Sequence, residues 1–261
     1  MFESSLQLPL SFAMLQDDIF HAPSGQELLR IIFRWLHFVA GITWIGMLYF
    51  FNLVNVNFMK ALDAPTKKVV VPELMPRALW YFRWGALLTV FAGISYYAMY
   101  ILRPDVVNNH AAGGAASLAL VFLGWLAIAI LFWVIIFFVL PRLTKDGRIL
   151  GVVTAVLVIL MSVLIVWCLN DQLTHRGDSY ASNKTLSIGI GGALGIIMLF
   201  NVWGIIWPAQ KRIIAGTVSG EAAPPELARR AFLASRTNAW LSLPMLFFMA
   251  TSHGDYVILG R

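Results

Sequence analysis

Six apolar runs constrain this sequence more than any other feature. They lie at about 29–51, 80–102, 117–140, 149–169, 186–207 and 231–252. A hydrocarbon core of about 30 Å needs roughly 20 apolar residues per crossing. Each run is of that order, and lipid offers no partner to a bare backbone amide, so each is expected to be a helix. Composition agrees: 59% of residues are hydrophobic and 12% charged, with a mean hydropathy of +0.77, far from a soluble domain. The expected fold is an all-α polytopic membrane helix bundle of about six transmembrane helices.

Lysine and arginine set its orientation. Lys60, Lys67, Lys68 and Arg77 follow the first run, Arg142, Lys145 and Arg148 the third, and Lys211, Arg212, Arg229, Arg230 and Arg236 the fifth. The opposite side holds only Arg30, Arg34, Arg103, Arg176, Lys184 and Arg261, together with most of the acids. The positive-inside rule therefore places the basic loops in the cytoplasm and both termini outside. The net charge of +6 is a topology and lipid-headgroup signal, and it calls for no nucleic acid. Tryptophans follow the same map, with Trp80, Trp84, Trp203, Trp207 and Trp240 near the inner ends and Trp35 and Trp167 near the outer ends. The sequence divides into an outer-face N-terminal segment, 1–27, and a single transmembrane domain, 28–261. The first segment has neither the basic start nor the small-residue cleavage site of a signal peptide. The one cysteine, Cys168, excludes an intrachain disulfide and a CxxCH haem attachment, and it reads as a buried small residue.

All five histidines fall on the outer side of this map or in the outer half of the bilayer. His37 is the sharpest candidate, because it sits about two turns inside the first run, in RWLHFVAGITWIG. On a helix Arg34, His37, Gly41 and Trp44 share one face. Gly41 would let a planar ring or a second helix come close, and Arg34 would offer its charge to haem propionates or an anionic substrate. An ionisable group at this depth is a functional candidate by default. The alternative is a histidine hydrogen-bonded to a neighbouring helix, with Arg34 reaching to headgroups. His253, in ATSHGDY at the end of the sixth run, could share a cavity with His37 if the first and sixth helices are neighbours. His110 and His175 read as loop histidines, and His21 is weaker still. Structural readings suffice elsewhere: Gly191 and Gly195 as a helix-packing face, Pro244 as a kink, and Asn201 as a bridge between helices.

Three motifs, RWLHFVAGITWIG, FNVWGIIWPAQKRII and SRTNAWLSLPMLFFMATSH, resemble in this order the membrane domain of bacterial cytochrome-c-linked urate hydroxylases, the membrane urate oxidases. The likeness runs from about residue 28 to 253. By position it takes in His37, Gly41, Trp44 and Gly46 in the first motif, and Asn201, Pro208 and Gln210 in the second. In the third it takes in Arg236, Asn238, Leu241, Ser242, Pro244 and His253. That motif departs from the family in reading RTNAW and TSH, where a second histidine after the arginine and an asparagine before the last histidine are usual.

The resemblance implies a redox protein of the bacterial inner membrane. Its candidate catalytic residues are His37, Arg34 and Trp44. His37, His253 and Gly41 would bind the cofactor, with His37 and His253 as ligands to haem or another metal. In the family a fused cytochrome c domain takes the electrons. This sequence ends at Arg261, so the expected acceptor is a separate c-type cytochrome. The other expectation is a non-catalytic subunit of a larger respiratory or photosynthetic membrane complex, holding haem, quinone or lipid.

Overall fold

The computed structural model describes residues 22–221, 223–253 and 257–260. His21 and residues 1–21 of the expected N-terminal segment lie outside the described residues. The described chain forms six long helical rods: α1 (Gly25–Ala61), α2 (Ala64–Ala111), α3 (Leu118–Leu143), α4 (Gly147–Leu173), α5 (Asn183–Ser219) and α6 (Pro225–Thr251). The starts are written in the sequence. Ser24 and Glu27 form a reciprocal capping box on α1, and the side chains of Asp63, Ser117, Asp146 and Ser182 accept from the first free amides of α2 to α5. Pro225 opens α6, where a missing N–H costs nothing.

The first five helices are long and apolar enough to cross a membrane, and the protein is a multi-pass membrane helix bundle. The sixth differs from expectation. Arg236, Asn238, Ser242 and Pro244 keep α6 less apolar than the rest, and it lies along α5 throughout, from Asn238 against Asn201 to Thr251 against Asn183. The helices also outrun their apolar stretches. The basic segment expected to be a connection after the first run is nearly all helix, because α1 continues to Ala61 and α2 begins at Ala64.

Helix α5 is the axis. Its most apolar stretch is 72% buried, against 17% for α4. Lipid gives helices no hydrophobic reason to associate, so small residues and hydrogen bonds decide which helix goes inside. A Cβ on Gly191 would stand 3.2 Å from the Met245 carbonyl oxygen, as the expected packing face requires. Trp125 of α3 donates to the Gly189 carbonyl at 2.7 Å, and Tyr97 of α2 to the Thr185 carbonyl at 3.2 Å. Asn201 does bridge helices: it donates to Asn238 at 2.7 Å and accepts from Trp133 at 3.0 Å. Asn238 in turn donates to the Met198 carbonyl. Apolar side chains such as Ile42, Leu120, Val152 and Ile159 face outward, as lipid contact demands. Cys168 is only half-buried, beside the outward-facing Trp167, because α4 turns just a narrow stripe to the core.

Four rods contain a π-helical segment, which sequence periodicity does not show: Phe50–Asn55, Ala98–Leu102, Ile135–Val139 and Val202–Ile206. Each adds one residue to a turn and re-aims the side chains beyond it. The first turns Asn52 and Asn55 into the bundle.

Candidate imidazole site

Helices α1 and α2 pack antiparallel and very close. A Cβ on Gly85 would stand 3.3 Å from the Ala40 carbonyl oxygen and from the Trp44 amide nitrogen. This approach puts His37 against the α2 backbone. Its Nδ1 lies 2.7 Å from the Thr89 carbonyl oxygen, and the Thr89 hydroxyl donates to the His37 carbonyl at 2.9 Å. A carbonyl only accepts, so Nδ1 carries the proton and Nε2 presents its lone pair. Gly93 makes room for the ring, since a Cβ there would stand 2.8 Å from both Cε1 and Nδ1.

His253 ends α6 in a similar state. Its Nδ1 is 3.1 Å from the Met249 carbonyl oxygen and 2.8 Å from the Ser252 hydroxyl, whose own hydrogen goes to Met249 at 2.7 Å. Here too Nε2 has no hydrogen-bond partner among the described residues. The helices α1 and α6 touch. The expected adjacency of the first and sixth helices is therefore present. An imidazole whose Nδ1–H is fixed by a carbonyl is oriented and made a better donor at Nε2, the usual state of a metal-bound histidine.

The remaining sequence candidates lie around this pair. Gly41 admits a helix: a Cβ there would meet the Thr89 hydroxyl at 3.2 Å. Trp44 is 2% exposed in the core, and its indole N–H has no partner among the described residues. Arg34 is exposed one turn before His37. Arg30 is held by tyrosines, stacked near Tyr96 and Tyr100 with Nε 3.4 Å from the Tyr96 hydroxyl. His110 braces a loop through Nε2, 2.7 Å from the Ala116 carbonyl, and His175 pairs with Ser179 in a turn. Among the described residues no group of three or more His, Cys, Asp or Glu could hold a metal. Sequence reading missed Thr89, Gly93 and Ser252. Two small residues four apart in the second run, facing a histidine in the first, were the available signal.

The model of a family described as urate oxidase N-terminal matches residues 61–259. That range contains the second and third motifs and His253, and begins after the first motif. No curated protein and no solved structure matches the chain.

Proposed function

The chain belongs to the urate oxidase N-terminal family, and from that premise we propose that it is a urate-hydroxylase-like redox protein whose imidazole end passes electrons to a c-type cytochrome. The observation behind this reading is the pair of imidazoles, both fixed at Nδ1 and open at Nε2. Two such donors would be able to hold a haem or another metal ion through their Nε2 atoms. The group, when bound, would supply one-electron transfer. Residues of the chain do the rest. Thr89 and Met249 hold the protons on the two Nδ1 atoms and Gly93 sets the ring position. Arg34 offers its charge to a propionate or an anionic substrate such as urate, and Trp44 seals the floor against water. The basic loops belong in the cytoplasm of a bacterial inner membrane by the positive-inside rule, which turns the imidazoles to the side where c-type cytochromes work.

The test is a reduced-minus-oxidised spectrum of the purified full chain, wild type beside His37→Ala and His253→Ala, with urate-dependent reduction of added cytochrome c. The expected result is a haem or metal signal lost in each variant, together with urate-dependent reduction. Bands unchanged in both variants would overturn the ligand assignment. A wild type that reduces no cytochrome and co-purifies with large partners would favour a non-catalytic subunit.

A further inference from the structure

The opposite end of the bundle, where the basic loops lie, holds a second polar site. Helices α1, α2, α5 and α6 enclose a cavity of about 210 Å³ there. Its lining contains no charged side chain. The polar groups are Asn52, Asn55, Gln210 and Ser235, set among aromatic rings that include Phe82 and Phe232.

Asn55 is the telling residue. It is 7% exposed, and its Oδ1 is buried with no hydrogen-bond partner among the described residues. Its Nδ2 reaches only the Met75 sulfur, at 3.7 Å. A buried carbonyl oxygen without a donor is costly and calls for an explanation. The π-helical turn Phe50–Asn55 turns it inward. Asn52, one turn back, is satisfied: its Nδ2 donates to the Leu48 carbonyl and to Ser235 Oγ, both at 2.9 Å. Ser235 thereby accepts one bond and keeps its own hydrogen to give. The Gln210 amide also has no protein partner among the described residues.

The cavity thus offers an acceptor (Asn55 Oδ1), a hydroxyl donor (Ser235) and a two-way amide (Gln210) between aromatic faces. A neutral ligand fits this lining, because nothing in it offsets the burial of a charge. Its size is that of one or two rings. Its depth is interfacial, since Gln210 on its wall lies one turn past Trp207 at the end of the fifth apolar run, and Phe232 on its wall is 44% exposed. We propose that this cavity binds the headgroup of a lipid-borne quinone or quinol, a quinol hydroxyl donating to Asn55 Oδ1 and the opposite ring oxygen accepting from Ser235 or Gln210. The site lies at the far end of the bundle from the imidazole pair and does not depend on what that pair binds.

The experiment measures binding of a short-chain ubiquinone analogue, oxidised and reduced, to the full chain in lipid nanodiscs. Asn55→Leu keeps the volume and removes both amide atoms. It is expected to weaken binding of the reduced analogue about 10-fold, the worth of one good neutral hydrogen bond, while the melting temperature stays level or rises because an unmet polar atom is gone. Ser235→Ala weakens the oxidised form more than the reduced form. His37→Ala binds as wild type, which separates this proposal from the redox role of the other end. Equal affinity in wild type and Asn55→Leu would overturn the proposal. So would no binding of the analogue by the wild type, or binding only of a water-soluble neutral base such as hypoxanthine.

Discussion

The two ends of this bundle hold their polar groups in opposite ways. At the imidazole end the side chains that look chemical are also well bonded: His37 and His253 each have Nδ1 fixed by a carbonyl. At the basic end the cavity is lined by unremarkable amides, and the buried Oδ1 of Asn55 has no hydrogen-bond partner among the described residues. The difference teaches that functional polarity in a membrane protein shows itself in two currencies. One is residue type, visible in a sequence; the other is an unmet hydrogen bond, visible only in a fold.

The change with the largest expected effect strikes both ends at once. Helix α6 carries His253 at one end and Ser235 at the other, and it is held to α5 through Gly191. A leucine there would drive into the Met245 backbone, 3.2 Å from the new Cβ. Gly191→Leu should cost about 1–3 kcal/mol, as overpacking does, and abolish both the redox signal and quinone-analogue binding. Thermal unfolding in nanodiscs, read beside both assays, checks this. Loss at one end only would mean that α6 is not the common support.

Gly93→Ala comes next, because it separates the ends. The added methyl would stand 2.8 Å from the His37 ring, and a side chain moves more easily than a backbone. The ring should swing away and lose the Thr89 carbonyl while the bundle stays folded. The variant is expected to match His37→Ala in the difference spectrum and to bind the quinone analogue like wild type. A normal spectrum would show that the ring position set by Gly93 is unimportant.

Much of this architecture was legible in the residues. The apolar runs gave the helices, because hydrocarbon leaves the backbone no alternative. Gly191 and Asn201 were readable as packing and bridging residues, and both act so. The contact between α1 and α6 was not readable, since helix order is a property of the packed bundle. The π-helical turns escaped because a one-residue insertion leaves the apolar pattern almost untouched. Cys168 misled because its helix is uniformly apolar while only one stripe of it meets protein. Asn55 passed unnoticed for a related reason: an asparagine just past an apolar run looks like the start of a loop, and here the helix continues to Ala61.

The smallest expected effect concerns what lies between the ends. Tyr49 sits on α1 between His37 and Asn55, and Ser242 sits on α6 between His253 and Ser235. Their oxygens are 2.9 Å apart. Ser242 gives its own hydrogen to the Ala239 carbonyl at 2.8 Å, so the tyrosine is the donor across the helix pair. Such bonds within membranes average about 0.6 kcal/mol in double-mutant cycles, so Tyr49→Phe, Ser242→Ala and the double variant should return a coupling of that size in stability. Each end should keep its affinity within about threefold, the factor that such an energy corresponds to. If the seam instead carried traffic from one end to the other, the same variants would slow electron flow between added quinol and cytochrome c far more than they loosen the fold. A rate falling with stability unchanged would make the two ends one device, and a rate unchanged would leave them two sites on a shared scaffold.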